Sequence, residues 1–275
     1  MLLIGYNLTS SNSVRVLKIA RLLFLLKLII ISVFLPGTIS LENGYLQARQ
    51  ERAVLALGEE IELPLRIRRI QYAFDGDQDS ERDATYEFLI RNLKVNETAL
   101  ILIDVWASHP IEGWKERAEV NIQDKLYPLL QEARKAGLLV IHAPHGIRIH
   151  TLATPLEGEM VLDWPYDAYQ VFDELRNRGI KTLIYAGYAT NMCVLVRPIG
   201  IIQAKGQNFD VILVRDATIA VETPESLDGE WAHRMAVHFV EANFGYTTTV
   251  EDFRIAVIRA QLPHTTFLPV VFSAR

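Results

Sequence analysis

The chain has 275 residues, with 28 basic and 33 acidic side chains, a formal net charge of −5 and a single cysteine, Cys193. Half of the residues are hydrophobic, which excludes a disordered or low-complexity protein because there is ample side chain to build a core. The mildly acidic balance argues against nucleic acid as a partner, and one thiol excludes an internal disulfide or a multi-cysteine metal site.

Residues 1–40 differ from the rest. Arg15, Lys18 and Arg21 precede an apolar run broken by Lys27, and Gly37-Thr38-Ile39-Ser40 follows. A basic start, an apolar centre and a small-residue exit are the parts of a signal peptide. The pattern predicts export or a membrane anchor through residues 15–36; without such a role the protein is expected in the cytoplasm. The uninterrupted stretch Leu28–Leu35 is short for a spanning helix.

Residues 41–94 are expected to form an extension carrying a strand or hairpin. EEIELPLRIRR (59–69) alternates strictly, with Ile61, Leu63, Leu65 and Ile67 on one side, which predicts a half-buried strand that Pro64 suits to an edge. The acidic stretch 75–83 is expected to separate this extension from the main domain.

The main domain is expected over 95–275, with a regular rhythm to about residue 260. ALILID (99–104), LLVIHA (138–143), TLIYAG (182–187) and DVILVRDA (210–217) are apolar runs of strand length. Helical spacing falls between them, over about 114–136, 166–178, 191–204 and 229–243. Gly137 and Gly179 are placed to end helices. This pattern predicts an α/β fold, a three-layer, doubly wound and mostly parallel sheet with helices on both faces.

Ligands of such sheets bind beyond the carboxyl ends of the strands. The polar residues there are Asp104, His142 and His145, Thr190 to Cys193, and Asp216. Cys193 follows a strand and opens a helix, where the helix dipole favours thiolate and unpaired N–H groups suit a developing oxyanion. Asp104 is a carboxylate able to take the thiol proton. The competing reading of Cys193 is a buried structural thiol. Asp216 reads as a residue that closes the end of its strand.

ALILIDVW (99–106), GYATNMCV (187–194), VILVRDAT (211–218) and HRMAVHFVEANFGYTTTVEDF (233–253) resemble the isochorismatase-like cysteine hydrolases, which include nicotinamidases and other amidohydrolases. The resemblance covers about residues 98–253. It implies Cys193 as covalent nucleophile, Asp104 as general base, a cis peptide between Tyr188 and Ala189, and an oxyanion hole formed by the N–H groups of Ala189 and Cys193. It implies a small-molecule amide or related acyl substrate and assembly into a homo-oligomer. Vinyl-ether hydrolysis, or a binding protein that has lost catalysis, are the alternatives on the same fold.

Two departures stand out. The family places a catalytic lysine in the loop before the helix that precedes the nucleophile strand. GEMVLDWPYDAYQVF (158–172) has none, with Met160 or Asp163 in the slot and Arg148, Arg197 or a histidine as substitutes. Pro198 also falls where the helix after Cys193 should continue.

His142, His145 and His150 have a spacing open to zinc or iron, but no Asp-x-His pattern accompanies them, and no metal or other cofactor is expected. His145 is expected to line the pocket, and Thr190 and Asn191 to contact substrate. Trp106 and His109, with Trp114, read either as walls for a planar substrate or as packing.

Overall fold

The computed structural model describes residues 59–68 and 85–262. All lie in the second of the two units, 1–55 and 56–275, into which the chain divides. The export or anchor segment and the acidic stretch 75–83 fall outside the described residues. Among the described residues, no helix is long and apolar enough to cross a membrane.

Eight strands form one sheet: β1 (Glu60–Arg68), β2 (Tyr86–Lys94), β3 (Thr98–Ile103), β4 (Leu139–Ala143), β5 (Met160–Val161), β6 (Thr182–Gly187), β7 (Asp210–Val214) and β8 (Tyr246–Thr248). Their order is β2-β1-β8-β7-β6-β3-β4-β5. From β8 to β5 every pairing is parallel; β1 runs antiparallel to both β2 and β8. The central strands are buried along their whole length, as β3 and β6 are at all six positions. Continuous apolar runs arise for this reason, since both faces must meet hydrocarbon.

Helices cover both faces. Glu112–Asn121 (α1) continues through a π turn over Ile122–Leu126 into Tyr127–Lys135 (α2). Ala168–Asn177 (α3), Cys193–Val196 (α4), Ile201–Gly206 (α5), Trp231–Asn243 (α6) and Val250–Gln261 (α7) follow. On one face, Leu100, Leu102 and Ile184 pack against Leu126, Leu129, Leu130, Phe253 and Val257 of the α1–α2 and α7 layer. On the other, Ile101, Ile103 and Leu183 meet Phe172, Leu175, Val194, Ile201 and Val240. Alternate residues of β3 feed opposite cores, which is the period-two geometry of a strand used on both sides.

Helices α2 and α3 end as expected. The N–H of Leu138 reaches the Ala133 carbonyl, and that of Ile180 reaches Leu175, across Gly137 and Gly179.

Three expectations are corrected. β1 is not an edge strand, because β2 covers its outer side over nine paired positions. Pro64 is tolerated there because the inner side meets β8 in register only at Arg66 and Thr247. The strand expected in a separate extension therefore continues the main sheet, sending Ile61, Leu63 and Leu65 into the core. The single helix expected over 191–204 is broken into α4 and α5 across Arg197–Gly200, since Pro198 has no N–H to donate and disfavours helical geometry at the preceding residue.

Candidate active site

Strand β3 leads away to β4 and β5 on one side, and the chain then returns to β6 on the other. The carboxyl ends of β3 and β6 therefore flank the crevice where strand order reverses. Asp104 leaves β3 and Cys193 lies six residues beyond β6. The two chain segments are locked together there. Gly187 pairs with Ile103, and the N–H of Tyr188 donates to the Ile103 carbonyl at 2.8 Å. The peptide between Tyr188 and Ala189 is cis.

Asp104 is 1% exposed, and both of its oxygens are engaged. Oδ1 is 2.5 Å from Nδ1 of His145, and Oδ2 accepts from Nε of Arg197 at 3.1 Å. The Cys193 thiol is half-buried and near enough to Asp104 for the carboxylate to act on its acidity. Arg197, bonded to Asp104, acts on the same sulfur.

Burial raises the thiol pKa, and the hydrogen bond to Asp104 and its charge raise it further; Arg197 and the Ala189 backbone pull the other way. The expectation of a thiolate favoured by a helix dipole is therefore not met. Helix α4 is a single turn of four residues, too short to sum a useful dipole. The resting sulfur keeps its proton, with Asp104 beside it.

Among the described residues, the N–H groups of Ala189 and Cys193 donate to no protein carbonyl, while the neighbouring Met192 and Val194 both donate to the Ala189 carbonyl. The Cys193 N–H, and the Ala189 N–H that faces the Cys193 sulfur, lie on either side of one turn, as a developing oxyanion needs.

In the region expected to hold a lysine, Met160 packs against the core and Asp163 is exposed. Arg148 is exposed as well. The cation beside Asp104 comes from Arg197, four residues after Cys193 and on the same turn. That Cys-x-x-x-Arg spacing is visible in the sequence. Tyr166, 2.8 Å from His145 Nε2, was not anticipated; a tyrosine in a loop carries no pattern of its own.

Other expected site residues sit elsewhere. Thr190 is fully buried, and its hydroxyl contacts Thr218 and His233 Nδ1 at 2.7 and 3.0 Å. Asn191 donates to the Val221 carbonyl and accepts from the Val221 N–H. Both side chains fasten the loop after β7, so they are engaged within the protein rather than turned to a substrate. His145 is held by Asp104 and Tyr166, which leaves neither ring nitrogen free. Trp106 donates to the Pro144 carbonyl, and its ring stacks on His109 at 6.1 Å. Both rings stay partly exposed beside the end of β3. Trp114 is buried, edge-on to Tyr188. Asp216 accepts from the Val250 N–H and so fastens the start of α7 to the end of β7.

The three histidines diverge to different carboxylates, His142 to Glu159, His145 to Asp104 and His150 to Glu119. Among the described residues no group of three or more such side chains is placed to hold a metal ion.

The His142–Glu159 pair makes stability depend on acid. Although burial opposes it, hydrogen bonds from Arg134, the Leu156 backbone and His142 hold Glu159 down to about 2. Burial keeps the His142 pKa below its ordinary value, against the pull of Glu159. In both cases the unfolded chain binds the proton more readily, so stability rises with pH. The glutamate's share is complete above its ordinary value and is lost as pH falls from about 4.5 towards 2. Thermal melts over that range should show a falling Tm, and Glu159→Gln should flatten the slope.

An isochorismatase domain model matches residues 98–252. The chain belongs to the isochorismatase family of hydrolases. It is 36% identical to the ureidoacrylate amidohydrolase RutB of Azorhizobium caulinodans over 113 residues, 40% of this chain and 45% of that protein. The protein of the same name from Rhizobium rhizogenes is 24% identical over 222 residues, 61% of this chain and 86% of the relative. The match thus spans less than half of the first relative and most of the second. Among solved structures, a cysteine hydrolase from Pseudomonas syringae pv. phaseolicola superposes with a TM-score of 0.50 at 19% identity, over 61% of this chain and 95% of that one. That likeness supports the fold.

Proposed function

We propose that this isochorismatase-family protein hydrolyses a small amide or ureide through a covalent intermediate on Cys193, with Asp104 as general base. The observation that carries the reading is the buried carboxylate beside the sole thiol, at the crevice where strand order reverses. Similarity to ureidoacrylate amidohydrolases favours the amide class.

The sulfur starts protonated, so proton removal accompanies attack. Asp104 takes the Sγ proton as sulfur bonds to the carbonyl carbon. The tetrahedral oxyanion rests on the N–H groups of Ala189 and Cys193. Asp104 passes its proton to the departing nitrogen, the C–N bond breaks and a thioester remains. Water then attacks that carbonyl and gives a proton to Asp104. As the acid leaves, the proton returns to sulfur and the enzyme is restored.

Arg197 supplies the fixed positive charge that the family draws from lysine. Its removal withdraws charge from both Asp104 and the sulfur, so Arg197→Ala should lower kcat about 100-fold with a smaller change in KM. Because Arg197 lowers the thiol pKa, the same variant should move the pH midpoint of Cys193 alkylation upward. Arg197→Lys should keep most of both, by steady-state kinetics and iodoacetamide labelling.

Intact-mass spectrometry of the full chain, quenched during turnover of ureidoacrylate and a panel of simple amides, tests the reading. An acyl adduct confined to Cys193 is expected. Hydrolysis of these amides with the sulfur left unmodified would point to direct attack by water rather than by Cys193, and neither turnover nor adduct across the panel overturns the enzyme.

A further inference from the structure

Granted a thiol nucleophile at Cys193, we propose that Tyr166 and His145 form a positioning relay that aims the Asp104 carboxylate at the sulfur. Tyr166 lies in the loop before α3 and His145 in the loop after β4, so three separate segments of chain converge on the base. His145 is buried, with Nδ1 at 2.5 Å from Asp104 Oδ1 and Nε2 at 2.8 Å from the Tyr166 hydroxyl.

Proton placement follows from the partners. Tyr166 remains a neutral phenol, because burial and then the Asp104 charge oppose its ionisation and outweigh the opposite pull of Arg197 and the Ile199 backbone. A carboxylate oxygen only accepts, so the contact with Oδ1 draws a proton to Nδ1, and the phenol oxygen lies against Nε2 on the far side of the ring. With Oδ1 taken in this way and Oδ2 facing Arg197, the carboxylate has one rotational setting. His145 acts on Asp104 alone, which makes it a positioning residue.

Backbone geometry points to the same end. Asp104 and His145 both adopt left-handed conformations, with φ of 48° and 49°. Such values are uncommon outside glycine and persist where the surroundings enforce them. Here they occur at the two ends of one hydrogen bond.

The groups that face the thiol and its base are Asp104 from β3, His145 from the β4 loop, Tyr166 from the loop before α3, and Arg197 after α4. Asp104 raises the thiol pKa while it is held against the sulfur. Releasing it should let that pKa fall towards the ordinary cysteine value.

The test is the rate of Cys193 alkylation by iodoacetamide against pH, read by intact mass on the full chain, beside kcat on the best amide of the panel. His145→Ala should speed alkylation at neutral pH about tenfold and lower kcat about 100-fold. His145→Asn, whose amide N–H falls near the position of Nδ1–H, should recover kcat to within about tenfold of wild type. Tyr166→Phe should shift the alkylation profile in the same direction as His145→Ala, by a smaller amount. In an Asp104→Ala background the His145→Ala effect should vanish to within about twofold, since the relay has nothing left to aim.

Equal effects of His145→Ala with and without Asp104 would overturn the relay. So would an unchanged profile in Tyr166→Phe, should His145→Ala fail to fold. An absence of both turnover and acyl adduct in the wild type would sink the amide-hydrolase reading while leaving the alkylation comparison to decide the relay.

Discussion

Cys193→Ser should lower amide turnover at least about a thousandfold while leaving the fold intact. The replacement differs by one atom and sits half-buried at the start of α4, so packing around Val194 and Leu195 is preserved. What changes is acidity. The thiol, even with its pKa raised by burial and by Asp104, gives up a proton far more readily than an aliphatic hydroxyl. Asp104 is an adequate base for the first and a poor one for the second. Cys193 is the only cysteine of the chain, so no second thiol can take over or confuse labelling. Kinetics on purified protein, with a melt and near-ultraviolet dichroism to show that the fold survives, check the expectation. Turnover within tenfold of wild type would reject the sulfur as nucleophile.

The largest expected loss of stability comes from one methyl group. At Gly187 a Cβ would lie 2.0 Å from the Ile103 carbonyl oxygen and 2.8 Å from its nitrogen, and φ there is +107°. The obstructing atoms are backbone of β3, at the centre of the sheet, and cannot swing aside as a side chain would. Gly187→Ala must push β3 and β6 apart where Gly187 pairs with Ile103, next to Asp104. Overpacking together with a disallowed backbone should cost at least about 4 kcal/mol. For a domain of this size that lowers Tm by roughly 8–16 °C, or leaves too little stability to fold. Gly113→Ala is the matched control, because a Cβ there meets nothing within 4 Å; it should leave Tm unchanged or slightly raised. A mild Gly187→Ala variant would mean that the crevice is more plastic than its register implies.

Much of this architecture was readable in advance, for a definite reason. β3, β4, β6 and β7 are buried on both faces, so each appears as an unbroken apolar run, and the residues just beyond them had to share one rim. Asp104 and Cys193 were singled out in that way, and the fold does place both at that rim. The shorter pieces were not. β5 has two residues and β8 three, below the length at which alternation can be seen. β2 carries Tyr86, Phe88 and Ile90 outward, an inverted pattern that hides its role. Within the site, Arg197 stood beside Arg148 and the histidines as a candidate for the missing lysine, and only the fold selects it. The contacts of Thr190 and Asn191 were not legible, because adjacency along the chain says nothing of direction. Their side chains turn to the loop after β7.

The hairpin of β1 and β2 lies wholly ahead of the segment that the family model recognises, which begins at residue 98. Ile61, Leu63 and Leu65 are each at most 2% exposed, and burying one such side chain is worth about 1.5–3 kcal/mol. Together they supply roughly 5–9 kcal/mol, of the same order as the whole margin that keeps a typical domain folded. The segment that the family model matches and the sheet that packs as one core thus have different beginnings. A gene fragment trimmed to the recognisable domain would leave α7 and the flank of β8 without their hydrocarbon cover, and would yield a polypeptide prone to aggregate.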